Sequence, residues 1–437
     1  MNNFIDDNGW LLPNPMGSST SSSSATSRVD LRGSASIKAP TIVPFNYVMA
    51  RVNLPLTYPA FERILEKMNA DLRLFLSMAC PNIKMAETLM PMEIEHLRFE
   101  GNSIFIGSSS YVLGIVRVYP NGDIPAFNKT VNDCGGVTHD VDKYGLKENR
   151  SRSNDAEELH RLKQQLKSLR KNENRRSWDD SRYNHEIGYC EDKINSYNLL
   201  LNNEEPPFEQ YAQLSVYSKN GTHTERFPYN RKMDEMMQYL IRRMFHGRGK
   251  RQSMKVKNLE VFSLNVTDVD LKMDVENLVV GFCGPEVLSK VEPLIDECSL
   301  PLKSLTLKDK CDADNVIFRE AESLIFDTGY SYNLPTLSQR RVHVSFFTDR
   351  IVYSIIIQWL IYGREVGTIF SFFVTHENNL VEFLTELACL PDAKFVEIPE
   401  KKQYRIIINL LNGAELHVYF EKDTKLQHCF VLKLEVC

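Results

Sequence analysis

The 437-residue chain has no long uninterrupted apolar run. Its longest, Ile351–Tyr362, is broken by Ser354 and Gln358. It is too short to span a bilayer and is read as a buried helix, so no membrane association is expected. The N-terminal stretch MNNFIDDNGWLLPNPM has no basic region followed by an apolar core, so no secretion signal is expected. Strong charge of one sign is also lacking. The net charge of −5 argues against general attraction to nucleic acid or anionic lipid. The nine cysteines are odd in number and none lies in C-x-x-C spacing, which disfavours a disulfide framework and a zinc module. Free thiols in a reducing, intracellular compartment, cytoplasmic or nuclear, are the expectation. No G-x-S-x-G, H-E-x-x-H, P-loop or dinucleotide fingerprint is found. No catalytic, metal-binding or cofactor residues are therefore nominated, and the chain is expected not to be an enzyme.

What is there can build a core: hydrophobic residues make up 43% and aromatics 10% of the chain. The fold class expected is α+β, in four segments. Residues 1–40 include a nearly unbroken Ser/Thr run and are expected to be disordered. Residues 41–150 begin with TIVPFNY, pass through two short helices in 54–90, and continue in alternating strand patterns over 94–119. Residues 151–207 carry a charged helical insert. Leu159, Leu162, Leu166 and Leu169 share a heptad phase with Tyr183, Ile187, Cys190, Ile194, Tyr197 and Leu201. Between them Glu173, Arg176 and Asp180 occupy the seam, which leaves a helical hairpin or one long coiled-coil helix. Residues 208–437 alternate strands with amphipathic helices. Leu302, Leu305 and Leu307 have the strand spacing of a leucine-rich repeat, and an irregular, solenoid-like α/β domain ending in an antiparallel meander is expected.

Two motifs invite functional readings. NDCGGVTHDVDKYG places Asp133, Asp140 and Asp142 around Gly135–Gly136. It has no terminal bidentate acid, so an Asx-capped turn is favoured over a calcium loop. The basic run Arg242–Lys257 has no aromatic stacking platform, so nucleic-acid binding is not expected of it. His343, His417 and His428 fall on strand patterns and are read as ordinary sheet residues.

LTYPAFERILEKM, SMACPNI, LGIVRVYPNGDIP and NDCGGVTHDVDKYG occur in order over Val52–Leu146. This block resembles a nematode-expanded family that carries a conserved domain of unknown function. WLIYGREVGTIFSF, from Trp359 to Phe372, looks like its continuation. The resemblance implies a family and supplies no activity. The opening helices are also similar to an F-box, with matching positions at Leu56, Pro59, Ile64, Leu65, Leu72, Leu76 and Cys80. The first six would be the adaptor-binding residues. That likeness implies a Skp-type adaptor as partner and a substrate-recruiting subunit of a cullin–RING ubiquitin ligase. The departures are a Pro three residues after the Leu, no Trp after the Cys, and Pro81 inside the helix. The alternative is a stand-alone interaction or structural protein whose N-terminal helices are core.

Overall fold

The structure, a computed structural model, describes residues 58–437 except 121, 123, 152–153, 173–180, 220, 247–253, 264–270, 282–283, 310–313, 328–332, 391, 399–402 and 423–428. The Ser/Thr run and TIVPFNY lie outside the described residues. In chain order the helices are α1 (Tyr58–Lys67), α2 (Ala70–Ala79), α3 (Pro81–Thr88), α4 (Ala126–Asp133), α5 (Asp155–Asn172) and α6 (Ser181–Asn202). They continue with α7 (Met233–Phe245), α8 (Gly284–Val291), α9 (Val316–Glu320), α10 (Asp349–Tyr362) and α11 (Glu377–Ala388). The strands are β1 (Glu93–Glu100), β2 (Ser103–Ile106), β3 (Ser109–Val118), β4 (Glu209–Ser218), β5 (Gly221–Pro228), β6 (Met254–Val261), β7 (Met273–Val280) and β8 (Ser304–Leu307). The last seven are β9 (Ser323–Phe326), β10 (Arg341–Val344), β11 (Ile369–Val374), β12 (Lys394–Ile398), β13 (Gln403–Asn409), β14 (Glu415–Lys422) and β15 (Phe430–Val436).

These elements form two compact units that interleave along the chain: residues 1–87 with 111–236, and 88–110 with 237–437. The first unit contains the strand order β3-β4-β5 together with α1, α2, α4, α5, α6 and most of α3. The second holds the order β12-β13-β14-β15-β11-β10-β9-β8-β7-β6-β1-β2. This differs from the sequential segments 41–150 and 208–437, because β1 pairs in parallel with β6. The alternation that marks β1 as a strand says nothing about a partner more than a hundred residues away.

In the second unit each of β7 to β11 lies parallel to the strand before it in sequence. The register aligns Leu97, Leu259, Leu278, Leu305, Leu324, Val342 and Phe370 in one row across β1 and β6–β11. A second row runs Phe99, Val261, Val280, Leu307, Phe326, Val344 and Phe372. None of these fourteen side chains is more than 2% exposed. Side chains on the opposite face, such as Val279, Thr306, Ile325 and His343, are only half-buried. Such alternation is what a sheet covered on one face produces. β15, β14, β13 and β12 then extend the sheet as an antiparallel meander, with Leu434 opposite Phe370 and Val418 opposite Leu434.

Polar side chains reinforce the parallel part. Asn258 donates through Nδ2 to the Glu95 carbonyl (3.0 Å), and Asn277 to the Lys257 carbonyl (3.1 Å). Ser304 Oγ donates to Asn277 Oδ1 (2.7 Å). These bonds tie consecutive strands where two adjacent side chains, Lys257 with Asn258 and Glu276 with Asn277, both leave the core face.

The first unit is built differently. α5 and α6 fold back on each other around Leu159, Leu162, Cys190 and Tyr197, with Leu146 completing the cluster. Tyr183 donates to the Leu169 carbonyl, and Arg170 pairs with Glu191 at 2.6 Å. A hairpin is thus what the insert forms. A buried ion pair links α6 to β3: Arg117 Nη1 lies 2.6 Å from Asp192 Oδ1. Arg117 also donates to the Gly145 carbonyl (2.8 Å) and stacks over the Phe208 ring at 4.6 Å. Asn128 donates to both Asp192 (2.9 Å) and the Tyr119 hydroxyl (3.0 Å).

Candidate interaction surface

The residues of α10 explain both its position and its exposed face. Val352, Ile355, Ile356 and Trp359 turn toward the sheet and are at most 1% exposed. Trp359 meets Phe370 of β11 edge-on, with centroids 4.9 Å apart. The helix ends where Gly363 adopts φ 75°, a conformation that glycine reaches without a Cβ penalty. A Cβ there would also meet Asn412 at 3.1–3.2 Å. On one flank Tyr353 touches Phe383 of α11 (5.0 Å) and donates to Glu386 (2.9 Å). Burial, then the Glu386 carboxylate, push the Tyr353 phenol up to about 12.

The outward face runs Arg350, Ser354, Ile357 and Ile361, and its C-terminal half is apolar and uncovered. Ile357 is 53% exposed, Ile361 55% and Tyr362 77%. This corrects the reading of Ile351–Tyr362 as a buried helix. Helices line one side of a sheet here as a single layer, so an apolar outer face has nothing described to pack against. Two turns past the end of the helix carry further exposed apolar side chains. Val366, 60% exposed, sits in the turn closed by the Thr368 N–H to the Glu365 carbonyl (3.2 Å). Leu411, 76% exposed, tips the β13–β14 turn closed by the Gly413 N–H to the Leu410 carbonyl (3.0 Å). Asn412 Nδ2 donates to the Arg364 carbonyl (2.7 Å), fastening that tip to the end of α10. Contiguous exposed apolar area is the feature by which interaction surfaces are recognised.

The F-box-like positions are divided by the structure. Leu56 lies outside the described residues, and Pro59 falls in the first turn of α1 with its side chain undescribed. Leu65 is fully buried, Leu76 half-buried, and Ile64 and Leu72 are 39% and 38% exposed. Cys80 is exposed. Met85 of α3 adds an exposed apolar side chain at 72%. α2 is anchored from its other side: Arg73 pairs with Glu87 at 3.0 Å, both almost fully buried, and Phe75 contacts His223 of β5.

The Gly/Asp segment is engaged in structure. Gly135 and Gly136 have φ near 98° and 94°, and a Cβ on Gly136 would come within 2.5 Å of the Ile115 carbonyl. This close approach lets Ile115 and Val137 exchange backbone bonds of 2.8 and 2.9 Å. Asp142 Oδ1 accepts from the N–H groups of Tyr144 and Leu146, while its Oδ2 pairs with Arg150 at 2.7 Å. Asp140 accepts from the Met233 N–H and the Tyr229 hydroxyl, both at 2.8 Å. No group of three metal-ligating side chains occurs among the described residues. The basic run divides between the end of α7 and β6, with 247–253 outside the described residues. Lys257 pairs with Glu95 at 2.6 Å. His417 sits between Arg405 (3.4 Å) and Glu415 (3.2 Å), His343 lies on β10, and His428 is outside the described residues.

Residues 232–376 match the family model described as Domain of unknown function (DUF3557). The match takes in β6 to β11 and all of α10, including the Trp359–Phe372 segment. The motifs of Val52–Leu146 lie outside it. No curated protein and no solved structure matches the chain. Among the described residues no helix is long and apolar enough to cross a membrane.

Proposed function

We propose that this is a non-enzymatic protein-interaction module whose working surface is the outer face of α10 with the Val366 and Leu411 turns. One observation carries the reading: the C-terminal half of α10 leaves Ile357, Ile361 and Tyr362 exposed opposite its buried face. The sequential parallel strands, with their aligned Leu rows, support a leucine-rich-repeat-like solenoid as the scaffold. Free thiols at all seven described cysteines support an intracellular setting. The test compares proteins captured from an extract by the full chain and by an Ile357→Lys/Ile361→Lys double variant. The reading expects a discrete partner lost by the variant while its thermal unfolding is unchanged. Identical capture by both chains would overturn it.

The exposure of Ile64, Leu72 and Met85 favours a second reading, an F-box-like head that docks a Skp-type adaptor. That reading expects the adaptor to co-purify with the intact chain and to be lost on Leu72→Asp. Absence of association at micromolar adaptor concentrations would sink it.

A further inference from the structure

The helical hairpin of the first unit carries a depression of about 500 Å³, lined by Lys163, Leu166, Lys167, Arg170, Lys171 and Ile194. Its floor is apolar: Leu166 and Ile194 are half-buried and pack on the hairpin core. Its rim is cationic. Lys163, Lys167 and Lys171 recur every four residues, about 6 Å apart per step along α5. All three are exposed, and none makes an ion pair among the described residues. Arg170 is held by Glu191.

Hairpin stability alone does not account for this arrangement. Like charges four apart on an exposed helix repel. The helix dipole favours cations in the last turn, which covers Arg170 and Lys171 but not Lys163 or Lys167. Elsewhere on α5 charge is compensated, as where Arg161 pairs with Glu158 at 2.6 Å.

We infer that this groove docks an acidic amphipathic helix of a protein partner. Its apolar stripe would cover Leu166 and Ile194, and its carboxylates, spaced one per turn, would meet Lys163, Lys167 and Lys171. The apolar floor favours a peptide over a phosphate backbone, which would bring only charge and leave that floor wet. The inference is independent of the α10 surface.

The test uses the full chain and fluorescence anisotropy. The probe is a fluorescein-labelled acidic amphipathic peptide of about 18 residues, with Leu on one face and Glu flanking it. The proposal expects saturable binding that weakens with added salt. A Lys163→Glu/Lys167→Glu/Lys171→Glu variant with unchanged circular dichroism should bind at least ~10-fold more weakly. A peptide with the same charge but no Leu face should also bind more weakly. The proposal is overturned if the peptide does not bind, if the triple variant binds it equally, or if the Leu-free peptide binds as well. It is likewise overturned if single-stranded RNA or phosphatidylserine vesicles bind in the peptide's place.

Discussion

The two units solve the same problem by opposite means. The second unit repeats one apolar device, a pair of inward side chains on each short strand, and its rows from Leu97 to Phe370 and from Phe99 to Phe372 close the core. The first unit joins its hairpin to β3 through buried charge and hydrogen bonds centred on Arg117 and Asp192. A repeated apolar row distributes its stability, so each member matters to a similar degree. A polar network concentrates it, because removing one partner strands the rest in a place without water.

The sharpest way to break this contrast is at Asp192. Asp192→Ala leaves the Arg117 guanidinium, 11% exposed, without its counter-charge. It is expected to cost ~3–5 kcal/mol in urea unfolding, and Arg117→Met/Asp192→Leu to recover a good part of that. Equal loss in the single and the double variant would mean that charge pairing is not what joins the hairpin. Next in size, Leu278→Ala and Leu305→Ala should each cost ~2–5 kcal/mol, with similar values because the two sites are equivalent. A large disparity would argue against distributed stability. Asn277→Ala should cost ~1 kcal/mol through its lost strand-to-strand bonds.

The smallest effect concerns acid. Burial lowers the His139 pKa, Lys193 and Lys147 lower it further, and Asp140 opposes them. A histidine depressed in the folded state takes up its proton more readily when unfolded. Its stabilising contribution is complete above the usual imidazole value near ~6.5 and is lost as pH falls through the folded value. NMR titration should place the His139 midpoint below ~6.5. A midpoint above that would contradict the packing described around it.

Much of the second unit was legible in the sequence because its signals are local. The expected alternation of strands with helices over 208–437, closing in an antiparallel meander, is what the structure holds. The unequal intervals between Leu259, Leu278, Leu305, Leu324, Val342 and Phe370 hid the full row, since a period search needs equal steps. The link from β1 to β6 was illegible for a different reason: pairing at long range leaves no local pattern. α4 was also missed. It is short and polar, and buried Asn128 and Asn132 bind Arg117 and Asp192 rather than forming an apolar stripe. In the candidate surface, Ile357 and Ile361 were visible only as members of an apolar run. Composition cannot say which side of such a helix a one-layer fold leaves open. The F-box-like positions show the same limit, since Leu65 turned inward and Leu72 outward on helices of similar pattern.

The central claim is that the outer face of α10 is a binding surface rather than a neglected part of the core. Hydrogen exchange on the full chain, alone and with the captured partner, tests it most directly. The account predicts new protection confined to α10 and to the Val366 and Leu411 turns, and none with Ile357→Lys/Ile361→Lys. Protection elsewhere, with α10 unchanged on partner binding, would contradict it.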